Sequence, residues 1–434
     1  MKLNWETEID TPATVAVIGG GAIGIEAALY ARFLGYYVLL IEGAKMAQSW
    51  RRGGQLPMLV PFGRAASQLG QAALEAHRPD SPLPKQSDVM TGLEFAEKYL
   101  VPLARTDLLI DSVHVHSRVV SVSRLAGRRE TPGEIQDRAD VEFRLAIHSK
   151  SRGWFTERAD IILDCSGLSV PRALGPGGGI AVGEVEHADL IEPYQIDAGA
   201  GKNAEQYAGK RIVLVGASHS ALMNLVSLVD LMRRSSQTRI TWLLMLEPGM
   251  SEPIQWLDRV RATGDAGERL AAREEVQAAL RGTLEGVVVL PVLGIERMAS
   301  APGGLDVRLQ TDEDNTLDIQ CDRIVSGCGL QADWSHAAAL RVGRSATLDR
   351  PTLEFSSVGA AGDASDRSPS ASIALSDSIL TMEPHYYVIG SKSFGLAHDR
   401  FTLAQGHQQI REAFALIGGR SDLDLYRNIQ RPSE

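Results

Sequence analysis

A glycine-rich turn near the N-terminus has the spacing that lets a backbone approach a phosphate. Its three spaced glycines are Gly19, Gly21 and Gly24. In such a turn the first glycine permits the bend, the second leaves room for a pyrophosphate, and the third lets helix and strand pack closely. The positive end of the following helix favours an anion. The turn therefore predicts dinucleotide binding, with a purely structural glycine turn as the alternative.

The segments around this turn complete a βαβ unit. Residues 14–18 and 37–41 are short apolar runs that predict buried strands, and residues 25–34 between them predict a helix. Glu42 follows the second strand, where a carboxylate is placed to accept hydrogen bonds from an adenosine ribose.

A second, degenerate turn follows a predicted strand at residues 211–215 and precedes a predicted helix at 222–232. It keeps Gly216, but Ser218 replaces the middle glycine and an alanine replaces the last. We expect the Ser218 and Ser220 hydroxyls to contact phosphate; the alternative is a unit that has lost its ligand. His219 would approach a nicotinamide or a substrate, or else be a solvent-exposed turn histidine.

Each βαβ unit is later followed by an aspartate, a short apolar strand and a turn of small residues. These segments are residues 160–167, which end in Ser166 and Gly167, and residues 322–329. Two such sets in one chain predict an α/β protein with two Rossmann-like nucleotide-binding domains.

Composition excludes several classes of protein. The 434 residues include 44 basic and 54 acidic ones, and the net charge of −10 argues against binding to nucleic-acid backbones. The three cysteines lack Cys-x-x-Cys spacing, which argues against a dithiol reductase of that type and suits a reducing compartment. No apolar run reaches ~18 residues and no signal peptide is recognisable, so we expect a cytoplasmic protein without membrane insertion. No cluster of cysteines, histidines and carboxylates predicts a metal site.

Over residues 15–417 the chain resembles the flavoproteins with two dinucleotide-binding domains, which include flavin-containing monooxygenases and pyridine nucleotide-disulfide oxidoreductases. The resemblance implies FAD in the first domain and NAD(P)H in a second domain inserted into it. The FAD-binding domain would span residues 10–200 and 325–434, and the NAD(P)H-binding domain residues 205–324.

Two motifs are similar to those of flavin-containing monooxygenases. Residues 164–167 resemble their linker motif, and Gly183 and His187 match two positions of their fingerprint. Ala181 and Ile191 depart from that fingerprint. His187 is therefore either a functional residue or a structural histidine in an interdomain linker.

A tryptophan and two arginines after the first unit are expected beside the cofactor. The resemblance implies that Trp50 packs against the isoalloxazine and that Arg51 or Arg52 contacts the pyrophosphate. The alternative is an exposed basic loop anchored by the tryptophan.

Two late segments compete to close over the flavin. Residues 359–363 carry a literal Gly-Asp motif, whereas residues 386–395, with Gly390 and Lys392, precede the last predicted helix at 401–416. We favour the later segment, because in the resembling family the closing helix lies near the C-terminus. Lys392 would stabilise anionic flavin or contact phosphate, or else be an ordinary solvated lysine.

The implied reaction is hydride transfer from NAD(P)H to FAD, with O2 or a small organic molecule as the final acceptor. His219 and Lys392 are the candidate catalytic residues. A monooxygenase-like enzyme is the leading hypothesis; the alternatives are an NAD(P)H oxidoreductase or oxidase without oxygen insertion, and a non-enzymatic nucleotide sensor. A homodimer would be compatible with each.

Glu247 bears on the choice of nicotinamide. It follows the predicted strand at residues 240–246, where a carboxylate would hydrogen-bond a free 2′-hydroxyl and repel a 2′-phosphate. NADH is therefore expected to serve at least as well as NADPH, unless Glu247 only begins a surface turn. Substrate would be bound by loops such as residues 57–66 and 248–256.

Overall fold

The computed structural model describes residues 3–52, 54, 57–58, 60–193, 202–246, 257, 265–353 and 378–427. The strands in chain order are β1 (Thr14–Ile18), β2 (Tyr37–Ile41), β3 (Val113–His114), β4 (Ser117–Arg124), β5 (Phe143–Ser149), β6 (Gly153–Ala159), β7 (Ile161–Asp164), β8 (Leu168–Pro171), β9 (Ile191–Glu192), β10 (Arg211–Val215), β11 (Arg239–Met245), β12 (Val287–Val292), β13 (Gly294–Ala301), β14 (Gly304–Gln310), β15 (Thr316–Cys321), β16 (Arg323–Ser326), β17 (Leu330–Ala332), β18 (Gly343–Arg344), β19 (Pro351–Thr352) and β20 (Tyr386–Val388).

The α-helices in chain order are α1 (Ala22–Phe33), α2 (Gln48–Arg52), α3 (Phe62–Ala65), α4 (Gln68–His77), α5 (Gly92–Phe95), α6 (Val101–Ala104), α7 (Ile135–Ala139), α8 (Lys202–Tyr207), α9 (His219–Arg234), α10 (Asp265–Ala271), α11 (Glu274–Leu280) and α12 (Leu403–Ile417). A short π-helix at Ala96–Leu100 joins α5 to α6, and a 3-10 helix at Ser391–Arg400 precedes α12.

The chain divides into two compact units. The first consists of Met1–Arg51, Val60–Ser169 and Ala332–Glu434, and the second of Arg52–Leu59 and Val170–Gln331. Most of the second unit is thus inserted into a discontinuous first unit. The sequence-based boundary near residues 200–205 differs from this division, because β9 pairs with β16 and residues 174 and 181 join the core around β13 and β14.

A five-stranded parallel sheet forms the centre of the first unit, in the order β20-β7-β1-β2-β3. Apolar side chains of β1 and β7, such as Ile18 and Ile162, pack against Phe143 and Leu145 of the antiparallel sheet β4-β5-β6. The helix α1 packs against β1, β2 and α12, where the rings of Tyr30 and Phe414 stack with their centroids 5.2 Å apart. Apolar residues on both strand faces are what a parallel sheet covered on both sides requires.

The second unit repeats this plan. Its parallel sheet has the order β12-β11-β10-β16-β9, and β13-β14-β15 form an antiparallel sheet. Successive residues of β10 point to opposite faces: Leu214 packs with Leu222 and Leu225 of α9, whereas Val213 packs with Leu305 of β14. Each unit is therefore a helix layer, a parallel sheet and an antiparallel sheet, which confirms the predicted α/β fold with two Rossmann-like domains.

Candidate functional site

The first glycine turn runs directly from β1 into α1. Gly19 has φ +107°, a backbone conformation that favours glycine, and its amide donates to the Ile41 carbonyl at 2.8 Å. A Cβ at Gly19 would lie 2.6 Å from the Cys165 carbonyl oxygen, and one at Gly24 would lie 1.8 Å from the Gly19 carbonyl oxygen. Both glycines are therefore required by close packing between the turn, α1 and the end of β7.

Gly21 differs from Gly19 and Gly24 because, among the described residues, nothing lies close to the position of a side chain there. It is the N-cap of α1, with φ −80°, and a Cβ built there would meet no atom of the described residues within 4 Å. In the part of the chain that the structure describes, no side chain caps the helix, so α1 presents the N–H groups of its first turn without a side-chain acceptor. This open, uncapped helix start can receive an anion. The helix begins at Ala22, earlier than the predicted residue 25, because it starts at the turn itself.

Glu42 lies at the end of β2, beside this turn. Its Oε2 accepts a hydrogen bond from the Gly20 amide at 2.7 Å, and its Oε1 accepts one from the Ala44 amide at 2.7 Å. Each carboxylate oxygen can accept more than one hydrogen bond. The carboxylate is thus held at the edge where a ribose was predicted, with its position fixed by the backbone.

The predicted linker and closing segments meet the first turn at the same sheet edge. β7 and β20 pair in parallel, so Ser166–Gly167 and Gly390 both follow carboxyl ends of neighbouring strands. A Cβ at Gly167 would lie 3.5 Å from Ser391 Oγ, and one at Gly390 would lie 3.7 Å from Ile23 Cγ2 in the first turn of α1. The structure therefore gathers these predicted residues around the start of α1, as expected at the ligand-binding edge of such a sheet.

Lys392 is fully buried, so the alternative of a solvated lysine is wrong. Its Nζ donates to Asp164 Oδ2 at 2.7 Å, to the Asp333 carbonyl oxygen at 2.7 Å and to Ser166 Oγ at 3.2 Å. It also lies 4.2 Å from the centroid of the Trp334 ring. An ammonium has three protons to donate, and these protein acceptors take all of them.

Asp164 is the centre of this buried network. Tyr386 Oη donates to its Oδ2 at 2.6 Å, His336 Nε2 lies 3.1 Å from the same atom, and Ser166 Oγ donates to its Oδ1 at 2.6 Å. Burial alone would raise the pKa of the Asp164 carboxyl, but Lys392 and His336 hold that pKa well below its usual range. Burial and the adjacent Asp164 raise the pKa of Tyr386 well above its usual range. The network therefore contains a stable carboxylate–ammonium pair at the end of β7.

The segment predicted to flank the flavin forms α2. Trp50 is partly buried, and its ring meets the edge of Phe95 with centroids 5.0 Å apart. Arg51 forms an ion pair with Glu97 and donates to the Met46 carbonyl oxygen at 3.2 Å. Arg52 is exposed. Trp50 is thus anchored by an aromatic cluster, and Arg51 is engaged by protein groups.

The second glycine turn has the same backbone path but a different N-cap. Gly216 has φ +99°, and a Cβ there would lie 2.9 Å from the Gly327 carbonyl carbon. Ser218 occupies the N-cap of α9, donates its hydroxyl to the Gly327 carbonyl oxygen at 2.6 Å and accepts from the Ala221 amide at 3.3 Å. The hydroxyl predicted to contact phosphate is therefore hydrogen-bonded within the turn, although Ser218 itself is exposed. Ser220 is partly exposed on the first turn of α9.

The two histidines singled out from the sequence are less exposed than surface residues. His219 is the first residue of α9, and burial lowers its pKa. It is thus partly buried and not a solvent-exposed turn histidine. His187 is 8% exposed, and a Cβ at Gly183 would lie 3.6 Å from its ring. That packing favours the structural alternative for His187.

Several predictions lie outside the described residues: Glu247, the loop at residues 248–256 and the competing closing segment at 359–363. Where the structure describes the chain, it shows no group of three or more histidine, cysteine, aspartate or glutamate side chains that could hold a metal ion. None of the helices described is long and apolar enough to cross a membrane.

Sequence reasoning missed the Asp164 network. His336 and Tyr386 carry no motif, and they reach Asp164 from segments far away in the chain. The one available signal was the aspartate itself, a charged residue ending an otherwise apolar strand, because a charge at such a place is rarely buried without partners.

No protein-family model and no curated protein matches the chain. Solved structures do match over nearly its whole length. The bacillithiol disulfide reductase of Bacillus cereus covers 94% of this chain with 99% of its own, at a TM-score of 0.59 and 15% identity. A flavin monooxygenase from Stenotrophomonas maltophilia covers 93% with 98% of its own, at a TM-score of 0.51 and 18% identity.

The ornithine N-hydroxylase of Kutzneria sp. 744, solved with reduced FAD, NADP+ and L-ornithine, covers 93% of this chain with 98% of its own, at a TM-score of 0.54 and 13% identity. The chain therefore has the fold of the flavoproteins with two dinucleotide-binding domains, as the resemblance implied. The same fold carries reductases and hydroxylases, so it leaves the reaction to be argued from the residues.

Proposed function

We propose that this protein is an FAD-dependent oxidoreductase that takes hydride from NAD(P)H and acts as a monooxygenase on a small organic substrate. The observation that carries the proposal is the helix start at Gly21. Open space, an uncapped helix and a neighbouring carboxylate are found together at the ligand-binding edge of a parallel sheet. At Gly19 and Gly24 of the same turn, by contrast, a Cβ would lie within 3 Å of protein atoms.

The residues of the first unit fit FAD. The Gly21 turn would hold the pyrophosphate, Glu42 the adenosine ribose, and residues 166–167 and 390 would line the cofactor where they approach α1. When bound, FAD would accept hydride from NAD(P)H and pass electrons to O2 or an organic acceptor. Because Lys392 donates its hydrogen bonds to protein acceptors, we assign it the role of holding β7 and the closing segment together. Its hydrogen bond to Ser166 Oγ also fixes the position of that side chain.

The thiols support an acceptor other than a protein dithiol. Burial raises the pKa of Cys321 to about 12 and that of Cys328 to about 11, and it raises the pKa of Cys165 well above its usual range. Such thiols stay protonated near neutral pH, and the thiolate is the reactive form. This favours O2 or a small organic molecule over internal disulfide chemistry.

The second unit would hold the nicotinamide nucleotide at the start of α9. Burial lowers the pKa of His219, so its imidazole is neutral near neutral pH and offers one donor and one acceptor to a ligand there. NADH is expected to serve at least as well as NADPH, through the carboxylate of Glu247.

The test is an absorbance spectrum of the purified full-length protein before and after anaerobic addition of NADH or NADPH. We expect bound flavin, and bleaching by NADH at least as fast as by NADPH. Colourless protein that takes up no FAD would overturn the proposal.

Oxygen insertion is tested separately, by supplying O2 with compounds that carry a soft heteroatom or a carbonyl. Consumption of NAD(P)H matched by oxygenated product supports a monooxygenase. Consumption matched by peroxide with every compound would instead indicate an NAD(P)H oxidase.

A further inference from the structure

The helix layer of the first unit contains a cavity of about 430 Å³. Its walls come from residues 63–68, from one face of α12 and from residues 424–427, and all three segments belong to the first unit. Among the described residues that line it, none belongs to the glycine turn at 19–24, to residues 166–167 or to residue 390. The cavity is therefore distinct from the place proposed for FAD.

Positive charge is in excess on the wall of this cavity. Arg64, Arg411 and Arg427 line it, and Asp424 is the one carboxylate among the described lining residues. Asp424 pairs with Arg427, whose Nε lies 3.2 Å from its Oδ2, and it lies 3.9 Å from Arg411 Nε. Arg64 is exposed and forms no ion pair with a described residue. In a chain of net charge −10, this local excess favours an anion.

Buried polar atoms without partners gather at the same place. In the part of the chain that the structure describes, seven buried side-chain atoms lack a hydrogen-bond partner, and four of them belong to Glu26, Tyr99, Glu412 and Tyr426. Tyr426 lines the cavity, and Glu412 accepts a hydrogen bond at 2.8 Å from Gln408 of the cavity wall. Burial and the adjacent Glu26 raise the pKa values of Tyr99 and Tyr426 well above their usual range, so both hydroxyls stay protonated. Buried polar groups are rarely left without partners, so this cluster indicates a site that something polar fills.

His407 adds a neutral polar group to this wall. Its ring centroid lies 5.7 Å from that of Tyr426. Burial lowers the pKa of His407 to about 4, so its imidazole is neutral near neutral pH and has one donor and one acceptor. His407 and the protonated Tyr426 hydroxyl can therefore bind the uncharged polar part of a ligand.

The size of the cavity and its donors indicate the class of ligand. About 430 Å³ is far more than an inorganic ion fills and lies in the usual range for a small-molecule site. The start of α4 is capped, because Ser67 Oγ accepts a hydrogen bond from the Gly70 amide at 2.8 Å, so this helix start is less suited to a phosphate. The guanidinium groups remain as donors, and their planar forks match a carboxylate.

We propose that this cavity binds a small organic carboxylate, whose anionic group is held by Arg64 and Arg411 and whose uncharged polar groups are hydrogen-bonded by His407 and Tyr426. This inference does not rest on the proposed function, since the site needs neither FAD nor NAD(P)H.

The experiment measures binding to the full-length protein by calorimetry at constant ionic strength. The probes are succinate, citrate and benzoate, with glycerol 3-phosphate and chloride for comparison. We expect at least one of the three carboxylates to bind with a Kd of about 1 mM or lower. The double variant Arg64→Gln, Arg411→Gln should raise that Kd about tenfold or more, because it removes charged hydrogen bonds.

Tyr426→Phe removes one neutral donor and should raise the Kd about threefold. It should melt no lower than the wild type, because the lost hydroxyl has no partner among the described residues, which separates a binding defect from a folding defect. Arg144→Gln is the control: Arg144 is exposed on β5, and its replacement should leave the Kd unchanged.

Three results would overturn the inference. If none of the three carboxylates binds the wild type, the cavity holds water only. If glycerol 3-phosphate or chloride binds as tightly as the best carboxylate, the site has no preference for a carboxylate. If the double variant binds as the wild type does, the ligand lies elsewhere.

Discussion

The helices α1 and α9 differ in how the unpaired amides at their N-termini are satisfied. The first leaves the helix uncapped around Gly21, whereas the second satisfies its own amide with Ser218. An uncapped helix start is unfavourable on its own, and a bound anion removes the cost. A capped start gains stability without a ligand. The comparison teaches that an anion bound at the first turn would stabilise its helix more than one bound at the second.

The two helices also differ in what they bury. Glu26 of α1 is 2% exposed, and its Oε1 has no hydrogen-bond partner among the described residues. The buried polar residue of α9 is Asn224, which carries no charge. Burial of an ionised carboxyl is costly, and desolvation raises the pKa of Glu26 to about 7. The first helix therefore carries a second unfavourable feature that the other helix lacks.

The largest effect is expected from the substitution Gly21→Val at the start of α1. A Cβ at Gly21 would have no atom of the described residues within 4 Å and φ is compatible with valine, so the protein should fold, while the pyrophosphate would lose its approach. We expect flavin content to fall to about a tenth of the wild type or less. The measurement is flavin absorbance per mole of purified protein.

Ser218→Val is the matched control for Gly21→Val. It places the same side chain at the equivalent position of the second unit, so flavin content should be that of the wild type. Full flavin occupancy in Gly21→Val would show that the first turn does not hold FAD.

A second test uses Glu26, the carboxyl group that is buried in α1. Burial raises the pKa of Glu26 from 4.5 to about 7 in the folded protein. The folded state then holds this proton more tightly than the unfolded state, so raising the pH through this interval lowers the free energy of unfolding. At pH values well above the folded pKa, the free energy of unfolding is lower by about 3 kcal/mol. The glutamine of Glu26→Gln does not ionise, so the free energy of unfolding of this variant should not fall in this way as the pH rises.

Chemical unfolding at pH ~5 and pH ~8 measures the difference between wild type and Glu26→Gln. The variant should gain stability over the wild type as the pH rises. Glu75→Gln is the control, because Glu75 is exposed on the neighbouring helix α4. An identical pH dependence in wild type and Glu26→Gln would show that Glu26 is not the buried acid described here.

Much of this comparison was visible in the sequence. Gly19 and Gly216 are needed for their positive φ, and the apolar runs around them fix the βαβ units, since both requirements act over a few residues. The closing segment at residues 386–395 was also predicted, and its strand β20 pairs with β7 in the first sheet.

The sequence could not show where polar side chains point. The direction of the Ser218 hydroxyl depends on the Gly327 carbonyl, and the burial of Lys392 depends on Asp164, both far away in the chain. The pairing of β9 with β16 could not be predicted for the same reason, since the two strands meet only in the folded sheet. Such contacts are set by tertiary packing and leave no local pattern.

The smallest effect is expected from a feature that the two turns share. Cys165 follows β7 and packs beneath the first turn, where a Cβ at Gly24 would lie 3.4 Å from its Cβ. Cys328 follows β16 next to Gly327, with its sulfur 3.7 Å from that of Met245. Both thiols have raised pKa values because they are buried, so they serve as small packing groups at both turns.

A variant with Cys165→Ala, Cys321→Ala and Cys328→Ala should therefore keep anaerobic flavin reduction by NADH within about twofold of the wild type at equal flavin content, since no thiolate takes part. A modest loss of stability is expected, because three side chains become smaller and two of them, Cys165 and Cys321, are buried. Retained FAD with no reduction by NADH would show that a thiol relays electrons. Single restorations of Cys165 and Cys328 would then identify which turn carries that chemistry.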